Sequence, residues 1–241
     1  MITIFVPAFN EAGNIAATID TVFGAAHKAQ REDLEIIVVN DGSTDSTGSV
    51  VRELASQRAC VKLIEFQANR GLGAGFRAAL AAARGDRFLI VPGDNDMSED
   101  LLVALFQNAE RADMILSYFV NKEERGVARN VVSLLFGAIY MITFGIFVQY
   151  INGPCVYPTG RLRDLSLKAD RFSIVVEVTI KLLCSGATYY EVAGYMQNGL
   201  AGSTSLSLRN LVEVVKSYVR LVYEIKVVRR SDYSQRPRRV R

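Results

Sequence analysis

The first 120 residues alternate short runs of β-branched and aromatic residues with longer segments of helical spacing. The predicted strands are Ile2–Val6, Glu35–Asn40, Val61–Phe66, Arg87–Val91 and Met114–Phe119, and the predicted helices are Asn14–Ala29, Ser46–Gln57, Gly73–Arg84 and Asp100–Arg111. Unbroken apolar runs within the strands are typical of a sheet buried on both faces. This alternation predicts a parallel, doubly wound α/β sheet that binds its ligands beyond the carboxyl ends of the strands.

The second half of the chain contains a long uncharged segment. No charged residue stands between Asn130 and Gly160, and Val131–Ile151 is almost wholly apolar. This length matches a membrane-spanning helix, but arginines flank both ends, so the positive-inside asymmetry is absent. We expect helices within residues 130–160 that lie in a membrane interface; core packing and spanning stay open as alternatives.

Residues 201–241 combine an amphipathic helix with a basic tail. Leu206–Val228 carries apolar and charged residues on separate helical stripes. Lys226–Arg241 holds seven cations against one acid, a charge of +6, whereas the whole chain carries +3. A basic tail on an acidic body favours anionic lipid headgroups over nucleic acid. Two alternatives stay open: the helix packs on the catalytic domain instead of a membrane, and the basic tail is simply a solvated terminus.

Composition excludes other classes of protein. With 50% hydrophobic and 22% charged residues, the 241-residue chain is not disordered and suits one α/β domain. His27 is the only histidine, which excludes histidine triads and multi-histidine metal sites. The three cysteines lack C-x-x-C spacing and are expected to be reduced core thiols in a cytosolic protein. No basic n-region precedes the first strand, so we expect no signal peptide.

An acidic pair follows the fourth predicted strand, in Pro92-Gly93-Asp94-Asn95-Asp96. Alternate residues of an extended segment project the same way, so Asp94 and Asp96 can share one hard cation. A divalent ion there would stabilise the negative charge of a diphosphate leaving group. Alone the D-x-D pattern is weak, because acids are common in solvated loops; its place at a strand end favours metal binding.

Two more polar loops follow the first and second predicted strands. Pro7 ends the first strand and stiffens a loop that presents Glu11 above the sheet edge. After the second strand, Asp41 can accept hydrogen bonds from a base or ribose, and Gly42 allows close approach of the backbone. The following Ser43-Thr44-Asp45 also suits a helix N-cap, which is the structural alternative.

A glycine-rich turn precedes the third predicted helix, in Asn69-Arg70-Gly71-Leu72-Gly73-Ala74-Gly75. It is similar to the G-x-G-x-x-G dinucleotide fingerprint, but that pattern would require glycine at Phe76, which disfavours a nicotinamide-dependent dehydrogenase. We interpret the segment as a turn that brings a helix N-terminus, with Arg70, toward a diphosphate.

In combination, these four loops resemble those of family-two glycosyltransferases, and within them the dolichol- or polyprenyl-phosphate sugar synthases. The matching segments are Pro7–Glu11, Asp41–Asp45, Asn69–Gly73 and Asp94–Asp96. The resemblance implies a Rossmann-like α/β fold of the A-type glycosyltransferases, with a catalytic domain over residues 1–200. An amphipathic helix and a basic tail that associate with a membrane would follow in residues 201–241. The cofactor would be Mg²⁺ or Mn²⁺.

The resemblance also implies roles for individual residues. The nucleotide would be bound by residues of the first three loops: Pro7, Ala8, Phe9, Glu11, Asp41, Gly42, Arg70 and Gly71. Asp94 and Asp96 would hold the metal and the diphosphate and act in catalysis. Arg129 and Ser133 stand four residues apart, on one helix face, and match the arginine and serine that contact the lipid phosphate. A helix-capping role for Arg129 is the structural alternative.

A phosphate acceptor explains why no general base is evident, because a phosphate monoester is largely dianionic at neutral pH. With a saccharide, protein or soluble acceptor, Glu177 or another acid near the cleft would have to act as base. A non-catalytic nucleotide-binding scaffold is a further alternative. The Q-x-x-R-W motif of processive synthases is absent, which favours transfer of a single sugar.

The expected activity is metal-dependent, inverting transfer from a GDP- or UDP-hexose to a polyprenyl-phosphate-type lipid. The protein would act as a peripheral protein at the cytoplasmic face of a membrane, with no nucleic-acid partner. Some positions depart from the family pattern and leave the acceptor open: Asn40, Ser98, Tyr118, Tyr150 and Gly199.

Overall fold

The computed structural model describes residues 1–121, 127–195 and 208–240. Its first part alternates strands and helices, as predicted. In chain order these are β1 Ile2–Ala8, α1 Ile15–Lys28, β2 Leu34–Asn40, α2 Thr47–Gln57, β3 Val61–Glu65, α3 Leu72–Ala82, β4 Arg87–Ile90, α4 Glu99–Gln107 and β5 Met114–Phe119. Every strand and helix predicted for this part is present, with ends that differ by a few residues.

The second part is richer in helix. In chain order it contains α5 Val127–Phe144, β6 Cys155–Pro158, α6 Thr159–Arg163, α7 Ser173–Cys184, β7 Thr188–Gly194, α8 Leu208–Tyr223, a π-helical segment Glu224–Val228 and β8 Arg238–Arg239. Gly199, one of the positions that depart from the family pattern, lies outside the described residues.

The described strands form one sheet in the order β3-β2-β1-β4-β6-β5-β7-β8. The five predicted strands run parallel to one another, as expected, but the sheet also contains the unpredicted strand β6, which runs antiparallel to both β4 and β5. Strand β6 is a four-residue apolar run inside a longer apolar segment. No period distinguishes such a run from helix, so the sequence alone did not reveal it.

Helices cover both faces of the sheet. Alternate residues of β1 point to opposite faces: Phe5 belongs to one buried cluster, and Ile4 and Val6 belong to the other. Helices α1, α2 and α4 contribute to the cluster of Ile4, and α3, α5, α7 and α8 contribute to the cluster of Phe5. The sheet is therefore buried on both sides, as its continuous apolar strands predict.

Residues 130–160 contain most of α5, a loop, β6 and the first two residues of α6, so the predicted helical part is one long helix. Helix α5 buries Tyr140 and Phe144 in the core. Its opposite side carries apolar side chains that are more than half exposed: Leu134, Leu135, Ile139 and Ile142. Within the described ranges, every helix falls short of the length and apolarity that crossing a membrane requires.

The described part of residues 201–241 shares the core and the sheet of the domain. Helix α8 buries Leu221, and Ile225 of the π-helical segment is also buried. The buried Lys181 ammonium lies 2.8 Å from a carboxylate oxygen of Glu177 and 2.8 Å from one of Glu224, which connects α7 to the π-helical segment. The basic tail continues the sheet, since Arg238–Arg239 pairs with β7.

The cysteines are free thiols, and Cys155 and Cys184 are buried. Burial raises the pKa of Cys184 to about 11, and burial likewise raises the pKa of Cys155. Thiols held protonated in this way are poor nucleophiles and poor metal ligands. Cys155 and Cys184 therefore fit the predicted role of core residues, whereas Cys60 is only partly buried.

Candidate active site

A cleft of about 730 Å³ opens above the carboxyl ends of β1, β2 and β4. This is where a doubly wound sheet is expected to bind its ligand. The cleft is lined by most of the residues that the sequence predicted: Pro7, Ala8, Phe9, Glu11, Asp41, Gly71, Asp94 and Asp96. Residues from four separate loops therefore meet at one place, although they are up to about 90 residues apart in the chain.

Hydrogen bonds between side chains and backbone join the loops after β1 and β2. The Asn10 side-chain oxygen accepts from the Thr44 amide at 2.8 Å, and the Asn10 amide donates to the Ser43 hydroxyl at 2.9 Å. Asn10 holds a positive φ of 59°, which asparagine tolerates better than most residues. These bonds fix the loop that presents Phe9 and Glu11 to the cleft.

The N-cap residue of α2 is Ser46, so the N-cap alternative for Ser43-Thr44-Asp45 is wrong by one position. Asp45 precedes the cap and still binds the first turn. Its carboxylate accepts from the Thr47 hydroxyl and, at 3.0 Å, from the Thr47 amide in the first turn of α2. It also accepts from the Ala12 amide at 3.1 Å. The hydrogen bond from the Thr47 hydroxyl contributes most to lowering the pKa of Asp45. Asp45 therefore stabilises the start of α2 and the loop after β1.

Asp41 organises the glycine-rich turn. One of its carboxylate oxygens accepts from the Arg70 amide at 2.7 Å, and the other accepts from the Gly71 amide at 2.9 Å. Gly42 has a φ of +72°, and a Cβ there would lie 2.5 Å from the backbone carbon of Ala68. The close approach predicted for Gly42 is thus to the chain itself, and Gly42 does not line the cleft among the described residues.

The glycine-rich turn packs tightly against the loop that precedes α7. A Cβ at Gly73 would lie 2.0 Å from the Ala169 carbonyl oxygen, and one at Gly71 would lie 2.4 Å from that of Asp170. The Gly73 amide donates to Asp170 at 2.9 Å. These glycines therefore allow two segments of backbone to meet, and the Gly73 amide is already paired within the chain.

Arg70 lies beside this turn, outside the residues that line the cleft. Its guanidinium carbon stands 4.7 Å from the centroid of the Phe66 ring, a cation–π contact. Its predicted role toward a diphosphate stays a prediction. Ser133 lies on α5 and does not line the described cleft, and the side chain of Arg129 falls outside the described part of the molecule.

The D-x-D segment is held against the end of β1. The Gly93 amide donates to the Pro7 carbonyl at 3.1 Å, and the Gly93 carbonyl accepts from the Thr18 hydroxyl at 3.0 Å. Asn95 adopts a positive φ of 56°, and its side chain accepts from the Thr21 hydroxyl at 3.0 Å. Both neighbouring aspartates line the cleft, so the backbone of this loop is fixed where the carboxylates are displayed.

Two carboxylates fit a divalent cation that takes its other ligands from substrate and water. Asp94 and Asp96 face one cleft, and carboxylate oxygens are the ligands that Mg²⁺ and Mn²⁺ prefer. In residues 1–121, 127–195 and 208–240 there is no cluster of three or more potential metal-ligating acids, histidines or cysteines. Ser98 is engaged as the N-cap of α4, where it accepts from the Leu101 amide at 3.3 Å.

The opposite wall of the cleft was not predicted. It is formed by two segments of the second part of the chain and includes Tyr150, Asn152, Arg171, Phe172 and Val175. Only Tyr150 had a signal in the sequence, as a departure from the family pattern. Neither segment follows a predicted strand directly, so no strand-end rule pointed to them.

Glu177 is not placed to act as the general base that a non-lipid acceptor would require. It is buried and is not among the residues that line the cleft. Its carboxylate accepts from the Ala169 amide at 2.8 Å and from the Lys181 ammonium at 2.8 Å. Glu177 therefore anchors the loop before α7 and is not placed to act as a general base.

Solved structures of glycosyltransferases share this fold. Mannosyl-3-phosphoglycerate synthase from Rubrobacter xylanophilus matches with a TM-score of 0.70 at 20% identity, over 95% of this chain and 75% of that one. Glucosyl-3-phosphoglycerate synthase from Mycobacterium tuberculosis, in complex with Mn²⁺, UDP and phosphoglyceric acid, matches with a TM-score of 0.65 at 19% identity, over 92% and 78%. The fold is the Rossmann-like fold of A-type glycosyltransferases, as predicted.

The sequence model of glycosyl transferase family 2 matches residues 3–169. Since this is more than half of the chain, the protein belongs to glycosyl transferase family 2. A dolichyl-phosphate beta-glucosyltransferase of Dictyostelium discoideum is 27% identical over 262 aligned residues, covering 93% of this chain and 77% of that protein. The uncharacterized glycosyltransferase EpsJ of Bacillus subtilis is 32% identical over 111 residues. The aligned region covers 46% of this chain and 31% of EpsJ. The chain thus spans about a third of EpsJ.

Proposed function

We propose that this protein transfers a single sugar from a nucleotide-diphosphate sugar to a lipid phosphate at a membrane surface, with inversion. The observation that carries the donor half of this proposal is the meeting of four predicted loops in one cleft. The glucosyl-3-phosphoglycerate synthase of similar fold was solved with UDP, and the mannosyltransferase PcManGT from Pyrobaculum calidifontis with GDP-Man. Both complexes also contain Mn²⁺.

The loops after β1 and β2 would bind the nucleoside. Phe9 is 46% exposed at the cleft, so its ring is available for a base to stack on. Glu11 lines the cleft beside it and accepts from the Asn14 side chain at 2.8 Å. Asp41 holds the neighbouring turn in shape through the Arg70 and Gly71 amides.

Asp94 and Asp96 would hold Mg²⁺ or Mn²⁺ together with the donor diphosphate. When bound, such an ion neutralises charge that develops on the leaving diphosphate. The two carboxylates would orient the diphosphate relative to the opposite wall of the cleft. The hydrogen bonds around Gly93 and Asn95 hold the loop that carries both aspartates in place before the donor arrives.

The acids around the cleft favour an acceptor that is already ionised. Among the described lining residues these acids are Glu11, Asp41, Asp94 and Asp96. The last two are assigned to the metal, and both oxygens of Asp41 accept backbone hydrogen bonds. A phosphate acceptor needs no base because its oxygen is already charged at neutral pH. Arg129 and Ser133 of α5 stay the proposed partners of that phosphate.

An exposed apolar face supports a lipid acceptor. We define this apolar face by its side chains, all at least half exposed: Leu134, Leu135, Ile139, Ile142, Phe147, Val212, Val215, Val219 and Tyr223. Helices α5 and α8 lie side by side, since the Thr143 and Tyr218 hydroxyls are 2.7 Å apart. Exposed apolar side chains on neighbouring helices are typical of an interaction site, and amphipathic helices bind membrane interfaces through such side chains.

The proposal is tested by measuring sugar transfer from UDP- and GDP-hexoses to polyprenyl phosphate in anionic vesicles, with Mn²⁺ and with a chelator. We expect metal-dependent formation of one sugar lipid. The double variant Ile142→Glu with Val219→Glu should lower vesicle binding about tenfold or more, because two side chains leave the bilayer. Its binding of nucleotide should stay unchanged.

The matched control is Ala17→Glu, which places a charge on an exposed position of α1 across the sheet. It should leave vesicle binding and transfer unchanged. Transfer to a soluble acceptor at full rate without lipid would contradict the lipid proposal and leave the donor chemistry intact. Tight metal-dependent nucleotide binding without any transfer would instead support a non-catalytic scaffold.

A further inference from the structure

One cation lines the wall of the cleft that faces the donor loops. Arg171 stands in the loop before α7 and lines the cleft together with Phe172 and Val175. A Cβ added at Gly71 would lie 3.6 Å from Arg171 Cγ, so this side chain begins beside the glycine-rich turn. Among the described residues that line the cleft, Arg171 is the only lysine, arginine or histidine.

The backbone around Arg171 is fixed on both sides. The carbonyl of the preceding residue, Asp170, accepts from the Gly73 amide at 2.9 Å. The Arg171 carbonyl accepts from the Ile174 amide at 3.1 Å, in the first turn of α7. One residue earlier in the loop, the Ala169 amide donates to the buried Glu177 carboxylate at 2.8 Å. The backbone that carries the Arg171 side chain is therefore in place before any ligand binds.

The guanidinium of Arg171 is not used to hold the fold together. No described residue forms a hydrogen bond or an ion pair with it. Other arginines on this side of the molecule are engaged: Arg77 donates to the Ala169 carbonyl at 2.8 Å, and Arg163 donates to the Ala83 carbonyl at 2.6 Å. Arg171 is a half-buried arginine without a partner among the described residues, and the other charged residues that line the cleft are acids. Such an arginine is suited to bind an anionic ligand.

We propose that Arg171 binds phosphate oxygens in the cleft, either those of the donor diphosphate or those of the acceptor phosphate. The planar guanidinium presents paired N–H donors that match a phosphate in a bidentate arrangement. Its charge offsets that of the ligand in the same cleft that the metal-binding pair Asp94 and Asp96 lines. This assignment rests on the proposed function and adds a residue to it.

The test is calorimetric titration of the full chain with UDP, GDP and inorganic pyrophosphate in the presence of Mn²⁺. Arg171→Gln should raise the Kd of a diphosphate about tenfold or more, as expected for loss of charge-assisted hydrogen bonds. Arg171→Lys should recover part of the affinity, because it keeps the charge and loses the fork. The control Arg52→Gln removes an exposed arginine of α2 that pairs with Glu65 of β3. This variant should bind the diphosphates like the wild type.

A second measurement distinguishes the two sources of phosphate. If the Kd values for the diphosphates are unchanged but the KM for polyprenyl phosphate rises about tenfold or more, Arg171 binds the acceptor. If Arg171→Gln matches the wild type in all Kd values and in this KM, the assignment is overturned. If the wild type binds pyrophosphate through Arg171 but binds no nucleotide, the proposed function fails and Arg171 remains a phosphate-binding residue.

Discussion

The two walls of the cleft are built in different ways. The donor wall comes from the loops that follow β1, β2, β3 and β4, and hydrogen bonds of side chains such as Asn10 and Asp41 shape these loops. The opposite wall comes from loops far along the chain, around Tyr150 and Arg171. Local motifs therefore reveal the first wall, whereas only packing brings the second to it.

The contact between the two walls is backbone against backbone. The turn at Gly71 and Gly73 touches the carbonyls of Ala169 and Asp170. Because glycine is required for this approach, the motif that looks like a nucleotide-binding turn also serves to join the two parts of the domain. A residue can thus be essential in this cleft without touching a ligand.

The largest effect is expected on the donor wall. Asp96→Ala should lower kcat about 100-fold or more, since removal of a metal ligand costs several kcal/mol of transition-state stabilisation. The measurement is turnover at saturating donor with Mn²⁺. Asp100→Ala removes an exposed acid of α4 close by in the chain and should leave turnover unchanged. Wild-type turnover of Asp96→Ala would remove the metal assignment.

The next effect concerns the junction of the walls. Gly73→Ala places a methyl group 2.0 Å from the Ala169 carbonyl oxygen, so the two backbones must separate, at a cost of about 2 kcal/mol or more. Denaturant unfolding measures this change. Gly160→Ala is the matched control, because a Cβ there meets nothing within 4 Å; a helical position favours alanine by up to about 1 kcal/mol. Equal stability of the two variants would show that the junction is not a tight contact.

A smaller effect is expected on the stability of the first part of the domain, at a buried residue outside the cleft. Glu35 is buried on β2 and accepts hydrogen bonds from the Thr3 hydroxyl at 2.8 Å and the Lys62 ammonium at 2.7 Å. Burial raises the pKa of Glu35, but hydrogen bonds from Lys62, Arg84 and Thr3 outweigh it and lower this pKa to about 2. The stabilisation is therefore complete above the unfolded-state pKa of about 4.3, and it is lost as the pH falls toward 2.

Glu35→Gln should lower the free energy of unfolding at pH 7 by about 2 kcal/mol and flatten its pH dependence between about pH 5 and pH 2. The measurement is urea unfolding across this range, with nucleotide binding at pH 7 as a second readout that should not change. Glu65→Gln, which removes a more exposed acid from β3, is the control. If the free energy of unfolding of Glu35→Gln falls with decreasing pH as steeply as that of the wild type, Glu35 is not the source of this pH dependence.

Much of the fold could be predicted because strands and helices of the first part have clear periods and are separated by polar loops. The strand β6 could not, since Cys155–Pro158 is short and lies in a segment that is apolar throughout. Its antiparallel insertion between β4 and β5 depends on where the chain returns after α5. That return is decided by packing of α5 on the sheet.

The residues of the candidate site likewise fall into a group that the sequence could predict and a group that it could not. Asp94, Asp96 and Asp41 could be predicted to share a cleft, because the carboxyl ends of neighbouring parallel strands meet at one sheet edge. Arg171 and Phe172 could not, since nothing in their neighbours marks them and their loop reaches the cleft through the hydrogen bonds of Glu177 and Gly73.

The sequence by itself determined the α/β class, the strand ends that carry polar loops, and the amphipathic character of the last helix, because each depends on residues close together in the chain. Only the tertiary structure decided that the basic tail joins the sheet edge beside β7, that Glu177 is an anchor, and that Arg171 faces the cleft. These outcomes depend on contacts between distant residues, whose free energy exists only after the two parts of the domain have packed together.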